Sequence, residues 1–492
     1  MKSVRRVPIV VAAIALAAIG CATTTNPVTG QRELQGMTTR EEIAIGQRAA
    51  EQVASEMGLV ERPALRTYVR ELGQRLAQFS PRRDVPFTFD VVQMAEPNAF
   101  ALPGGHVYVS RGLLAIANSE DELAGVIGHE IGHVAARHFA QRQTRSQAVG
   151  IATVLGTLAA AALGGGQAAQ AVNQFGQVAG SGLIASYGRD QERQADEVGQ
   201  RIAAAAGYDP AAIGDFLETL GRETTRETGR ARQPSFFDSH PSTPERVRNT
   251  RTRATRLRPA PHHPIAASRR AFLDRLDGLA LGADPAQGVF QDRRFLQPDM
   301  GFAIDFPVGW RTVNAADAVG AQHPEGVALV KLQAQQPQGD VRDAADRFAA
   351  QAELTLEQAA SIRVGGLPAW RAYSRASNGN IAQFTWVAFR GTIYRIDGIA
   401  KAQAYASVRD DLDRAARSFR ALTARERAGI RERTLRVVAA RARETLVALG
   451  RRTGNVWTPK QTAIANGVGL DVRFPAGFAV KIAQERPYRG AR

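Results

Sequence analysis

Residues 119–134, SEDELAGVIGHEIGHV, decide how this chain is read. Ser119 and Glu122 have the S-x-x-E spacing of a capping box, and Asp121 adds negative charge where a helix N-terminus favours it. Leu123, Val126, Ile127, Ile131 and Val134 fall on one apolar stripe. A long, well-capped helix is expected, with His129, Glu130 and His133 interrupting its stripe.

Upstream, Ile43, Ile45, Ala49, Val53 and Met57 recur near a 3.6 period, and Leu65, Val69, Leu72 and Leu76 predict a second helix over about 63–78. The period then shortens. Phe87, Phe89 and Val91 alternate as in a strand, and residues 98–110, NAFALPGGHVYVS, read as two short strands around Pro103-Gly104-Gly105. Downstream, residues 147–187 are rich in Ala and Gly, as in a close-packed helical hairpin, a loop or a segment that dips into a membrane. Helices are expected again over about 190–206 and 210–221. The Arg, Pro and His-rich stretch 251–264 reads as a domain exit.

The chain has 492 residues, 44% of them hydrophobic and 22% charged, enough for roughly two to four domains with ordinary cores. Disorder and collagen are excluded. A single cysteine cannot make an internal disulfide or a Cys-rich zinc module, so a metal site must draw on carboxylates and the eight histidines. The net charge of +16 comes almost wholly from arginine and suits nucleic acid, anionic lipid or acidic polymer alike.

The first residues narrow that choice. Lys2, Arg5 and Arg6 precede an apolar run from Val7 to Ile19, the layout of a secretory signal over 1–20 and too short for a comfortable membrane span. Ala18-Ile19-Gly20-Cys21 resembles a bacterial lipobox. Cys21 is read as the lipidated first residue of the mature protein, anchored by its acyl chains, with the alternative of an ordinary cleaved signal. Ala22 after the cysteine resembles the outer-membrane sorting pattern, on the periplasmic face. Secretion argues against nucleic acid. The polar residues 21–38 read as a tether.

His129 and His133, four apart on one helical face, can present both imidazoles to one ion, and Glu130 can reach a water on it. This is the HExxH arrangement, in which zinc acidifies a water and polarises a peptide carbonyl while the glutamate relays the proton. Tetrahedral zinc needs one more protein ligand. The candidate is Glu192 in residues 189–196, RDQERQAD, where Asp196 shares its face and can accept a hydrogen bond from a ligand imidazole. A solvated, mixed-charge helix face is the other reading of that spacing.

HExxH, then E-x-x-A-D, then residues 240–246, HPSTPER, together resemble the zinc metallopeptidase family of HtpX, the Oma-type and the CAAX prenyl proteases; the leader and residues 26–34, NPVTGQREL, resemble its periplasmic BepA-like lipoprotein branch. The resemblance covers about residues 22–255. It implies one Zn2+ per chain on His129, His133 and Glu192, with Glu130 as general base and Asp196 behind a ligand. It also implies that His240 stands near the metal, as an inhibitory fourth ligand or an aid to the oxyanion, steadied by Arg246. Asn98, Ala99 and Phe100 resemble the family's substrate-binding edge strand, and residues 147–187 a hairpin or lid near the cleft. His138 matches no family position and is expected, like His106, His262, His263 and His323, to be a surface or core histidine.

In the C-terminal half, a helix is expected over 268–279, then alternating strands at 302–306, 328–334 and 384–395 with helices over 340–360 and 401–422. Residues 301–421 loosely resemble PsbP/Mog-type domains. Residues 433–485 have strand, helix, helix, strand character and resemble a LysM module, although Arg443-Glu444 replaces the usual Gly-Asp.

The expected fold class is α+β: a mainly helical HExxH peptidase domain (39–265) with a small antiparallel sheet, a small α+β domain (290–422) and a βααβ module (433–485). The function this implies is zinc-dependent endoproteolysis of misfolded or misassembled envelope polypeptides in the periplasm. Two alternatives stand beside it: a peptidoglycan-directed endopeptidase, and a wall-binding, chaperone-like scaffold with a latent protease domain.

Overall fold

The computed structural model describes residues 22–35, 37–143, 187–224, 236, 240, 244–314, 318–335, 339–375 and 379–490. Residues 1–20, expected as a secretory signal, Cys21 and the Ala/Gly-rich segment up to residue 186 lie outside the described residues. No helix among the described residues is long and apolar enough to cross a membrane.

The described residues open with a hairpin, β1 (Ala22–Thr25) and β2 (Arg32–Gln35), where a tether was expected. Asn26 turns it: its buried Oδ1 accepts from Val28 N (2.8 Å) and Thr29 N (3.3 Å), an Asx turn across Pro27. Polar composition alone does not separate so short a hairpin from a linker.

Helix α1 (Thr39–Glu56) starts at a complete capping box between Thr38 and Glu41, and α2 (Pro63–Ala77) has proline at its first position. The buried face of α2 carries Leu65, Val69, Leu72 and Leu76, as the period predicts, and Gly73 allows the ring of Phe89 to lie against the helix backbone. Strands β3 (Thr88–Val92), β4 (Ala99–Ala101) and β5 (His106–Ser110) form one sheet in the order β3-β5-β4. It is mixed, not antiparallel: β4 runs antiparallel to β5, but β3 runs parallel to it. Alternation within a strand carries no information on the direction of its partner, which is why the sequence misses this.

After α3 (Arg111–Ile116) comes α4 (Glu120–Ala135), the expected long helix. Its box is half made. Ser119 Oγ accepts from Glu122 N (3.1 Å), while the Glu122 carboxylate turns back to Asn118 N (2.8 Å). Then follow α5 (Arg189–Ala205), α6 (Ala212–Thr224), α7 (Pro244–Ala254) and α8 (Arg269–Leu276).

The stretch expected as a domain exit instead packs on this body. Ala260 N donates to Ala204 O, and Ile265 N and Ala266 N donate to the buried carboxylate of Glu120. Phe272, Leu273, Leu276 and Leu279 belong to the same core as Leu123 and Ile131, so the first unit continues past the expected boundary at 265.

The second unit is built on a seven-stranded antiparallel sheet. Its strands are β9 (Arg311–Asn314), β10 (Ala318–Gln322), β11 (Ala328–Gln335), β12 (Glu357–Val364), β13 (Leu367–Arg375), β14 (Ile381–Phe389) and β15 (Thr392–Ala400), in the order β12-β13-β14-β15-β11-β10-β9. Helix α9 (Val341–Gln351) covers Phe384 and Trp386 on one face, and α10 (Ala402–Arg417) covers Val330, Leu332 and Ile396 on the other. A smaller sheet joins β6 (Val289–Gln291), β7 (Arg294–Gln297), β8 (Phe302–Asp305) and β16 (Arg420–Ala421).

Both expected helices here are shorter than predicted. Residues 357–360 belong to β12, an exposed edge strand with no apolar alternation to announce it, turned into β13 by Gly365 and Gly366 at φ +55 and +81. Residues 420–421 form β16.

The last unit has the expected βααβ order: β17 (Arg431–Ala439), α11 (Leu446–Thr453), α12 (Pro459–Ala465) and β18 (Ala479–Pro487). It is fastened to the first unit. Gly278 N donates to Leu435 O and Leu435 N to Leu279 O. Lys481 is fully buried, and its Nζ donates to Ala115 O (3.0 Å) and Ala117 O (2.7 Å), at the C-terminal end of α3, just ahead of α4. Burial and the neighbouring Arg269 push the Lys481 amine well below its usual range, against the pull of Glu122. Lys481→Met, which leaves those carbonyls without their donor, is expected to cost about 1–3 kcal/mol, read as a lower unfolding temperature. An unchanged temperature would show that this lysine does not hold the units together.

Candidate metal centre

Helices α4 and α5 touch backbone to backbone. A Cβ on Gly199 would stand 2.7 Å from His129 N, and one on Gly132 would stand 2.7 Å from Ala195 O. That close crossing sets Glu192 and Asp196 beside His129 and His133, although Glu192 lies 59 positions after His133 in sequence.

Four donors converge. His129 Nε2 lies 3.0 Å from His133 Nε2 and 3.2 Å from His240 Nδ1, while Glu192 Oε1 lies 3.3 Å from His133 Nε2 and 3.0 Å from His240 Nδ1. Ligand atoms held about 2.0–2.1 Å from a tetrahedral ion stand roughly 3.3 Å apart, so these separations fit four donors around one zinc. Glu130 is fully buried, and among the described residues neither of its carboxylate oxygens has a hydrogen-bond partner; His240 Nε2, likewise without one there, lies 3.4 Å from Oε1. Orphaned buried polar atoms at the mouth of a donor cluster are what a metal ion and its water would satisfy. The residues therefore fit zinc.

Behind the donors, Asp196 Oδ1 lies 2.9 Å from His129 Nδ1, the imidazole–carboxylate contact expected from the i, i+4 spacing. Arg246 Nε and Nη2 grip Asp196 at 2.7 and 2.8 Å, and its Nη1 pairs with Glu192 Oε2 at 2.6 Å. The guanidinium steadies two carboxylates. Burial works to raise the pKa of Asp196, yet Arg246 and His129 outweigh it and lower it. Glu192 is held well below the carboxylate range by His240, His133 and His129 against the same burial. Burial pushes the Glu130 carboxyl upward.

The expected substrate strand β4 lies at the edge of its sheet. Ser110 N donates to Asn98 O and Leu102 N to His106 O, so the alternation of an antiparallel ladder turns the backbone of Ala99 and Ala101 away from β5 and that of Phe100 toward it. Phe100 is a core residue, its ring 5.3 Å from that of Tyr108. The fully buried Asn98 side chain has no hydrogen-bond partner on Nδ2 or Oδ1 among the described residues.

Three residues at the centre carried no sequence signal strong enough to single them out for it. Phe236 stacks on His240 (4.3 Å between centroids, 20° between planes) and bonds Pro97 O through its N–H. Tyr187 stacks on His133 at 3.9 Å and 24°. His138, expected at the surface or satisfied in the core, is fully buried against His133. Two aromatics flanking the E-x-x-A-D and His-Pro motifs were the available hint.

Residues 63–254 match Peptidase family M48. The chain is 31% identical over 252 residues to a beta-barrel assembly-enhancing protease of Yersinia pestis, covering 50% of each chain. It is 31% identical to the mitochondrial metalloendopeptidase OMA1 of Schizosaccharomyces pombe, over 45% of this chain and 64% of that one. It is also 31% identical to the metalloprotease YcaL of Escherichia coli K12, over 37% of this chain and 69% of that one. The match spans about half the length of the assembly-enhancing relative. With two thirds of YcaL covered and the donor cluster inside the matched residues, the chain belongs to peptidase family M48.

Proposed function

We propose that this protein is a zinc-dependent endopeptidase that hydrolyses misfolded or misassembled polypeptides of the cell envelope, anchored through Cys21 to the outer membrane on its periplasmic side. The observation that carries the reading is the buried carboxylate of Glu130, without a hydrogen-bond partner among the described residues, beside four converging metal donors. The relatives' names, which include assembly-enhancing proteases, support envelope polypeptides as the substrate class.

Zinc on His129, His133 and Glu192 supplies an acidified water and a polarised carbonyl when bound. An extended peptide adds to the edge of β4 that faces away from β5, paired with the backbone of Ala99 and Ala101. Glu130 takes the proton of the attacking water and returns it to the leaving amine. Arg246 and Asp196 hold Glu192 and His129 in place meanwhile. His240 Nδ1 stands among the donors where a water is needed, so it closes the site, and its withdrawal opens it.

The test uses the mature protein and His240→Ala side by side on unfolded casein. Hydrolysis faster in His240→Ala, lost on chelation and restored by zinc, is expected. Casein left intact by both would contradict the proposal. Purified sacculi in the same assay address the wall-directed alternative suggested by the LysM-like order of residues 431–487; crosslinks containing D-residues are disfavoured by strand addition, so no digestion is expected.

A further inference from the structure

His133 is held through both of its nitrogens. Nε2 faces the donor cluster, 3.0 Å from His129 Nε2 and 3.3 Å from Glu192 Oε1. Nδ1 lies 2.8 Å from Nδ1 of His138, and Nε2 of His138 lies 2.8 Å from Oε1 of Gln194. With the Gln194 amide oxygen turned to His138, the chain of contacts sets the protons of both imidazoles. An amide oxygen only accepts, so His138 carries its hydrogen on Nε2 and keeps a lone pair on Nδ1. That lone pair accepts from Nδ1–H of His133, which leaves His133 Nε2 unprotonated, the tautomer a cation requires. The opposite orientation of the Gln194 amide would reverse every bond and put a proton on His133 Nε2, where no metal could bind.

Position is fixed along with tautomer. His138 is fully buried just beyond the end of α4, and Gln194 stands two residues after Glu192 on α5, so the helix that supplies the carboxylate also ends the chain of bonds. Tyr187 lies over the face of the His133 ring at 3.9 Å, so the ring is restrained at its edge by His138 and on its face by Tyr187.

We infer that His138 and Gln194 form a positioning relay that sets the tautomer and orientation of His133 for metal binding. The inference rests on the zinc reading of the site. Neither residue touches the reacting atoms; both act through His133. In many metal sites this task falls to a carboxylate or backbone carbonyl, and its loss typically lowers metal affinity about 10–100-fold.

The experiment measures zinc affinity of the full chain by competition with a chromophoric chelator, together with 15N imidazole shifts. His138→Phe keeps the ring bulk and removes the acceptor; its affinity is expected to fall about 10–100-fold. His138→Asn places an amide oxygen near the former Nδ1 and is expected to recover most of the loss, which a purely space-filling role would not explain. In the wild type His138 is expected as the Nε2–H tautomer alone, and in Gln194→Leu as a mixture. Gln194→Leu, at a half-buried position, carries the affinity test if His138→Phe does not fold, with a smaller fall in the same direction. Zinc bound by both variants as tightly as by the wild type overturns the relay alone. A wild type that binds no zinc overturns the zinc reading and the relay with it.

Discussion

Glu130→Gln is expected to stop peptide hydrolysis while leaving fold and zinc content at wild-type levels. The amide is the same size as the carboxylate and lies on the same buried turn of α4. It cannot accept the proton of an attacking water, and positioned general acid–base groups contribute about 10²–10⁴-fold to rate, so a loss of at least that order is expected. Stability should not fall. The Glu130 carboxylate makes no hydrogen bond among the described residues and burial already raises its pKa, so a neutral replacement relieves a desolvation cost. Initial rates on an unfolded substrate, with metal analysis of the same samples, make the comparison. Hydrolysis near the wild-type rate would remove Glu130 from the chemistry.

Arg246→Met is expected to have the largest effect on stability. Arg246 is 4% exposed and binds Asp196 through two nitrogens and Glu192 through a third, so its removal strands two buried carboxylates. Breaking a buried ion pair from one side costs about 3–5 kcal/mol. Lysine should not rescue it, because one ammonium cannot reproduce the planar two-point grip on Asp196. The loss should be greatest in metal-free protein, since a bound cation would offset part of the stranded charge on Glu192. Denaturant unfolding of metal-free and zinc-loaded samples reads both effects. Equal stability of wild type and Arg246→Met without metal would show that this ion network contributes little.

The peptidase core is legible in the sequence because its signals are local and periodic. The stripe of Leu123, Val126, Ile127 and Ile131 and the i, i+4 pairs His129/His133 and Glu192/Asp196 each fix a face, and the faces meet as expected. His240 and Arg246 came from resemblance rather than spacing, and the structure sets both against the same cluster. What sequence could not show is non-local. The parallel pairing of β3 with β5, the packing of residues 255–266 back on the core and the burial of Lys481 in the first unit depend on partners up to 366 residues away. His138 matches no position of the family pattern and is therefore expected as a surface or core histidine; its place five residues after His133 is not a same-face helical spacing either. Arg137, at φ +57, ends α4 there and swings the next side chain back toward His133.

Metal content of the purified mature chain tests the central claim most directly. The wild type should hold one zinc per chain, with nitrogen and oxygen donors about 2.0–2.1 Å from the ion by X-ray absorption, and Glu192→Ala should lose it to a chelator that the wild type resists. A wild type without stoichiometric zinc, or a Glu192→Ala variant that retains it equally well, would contradict the account.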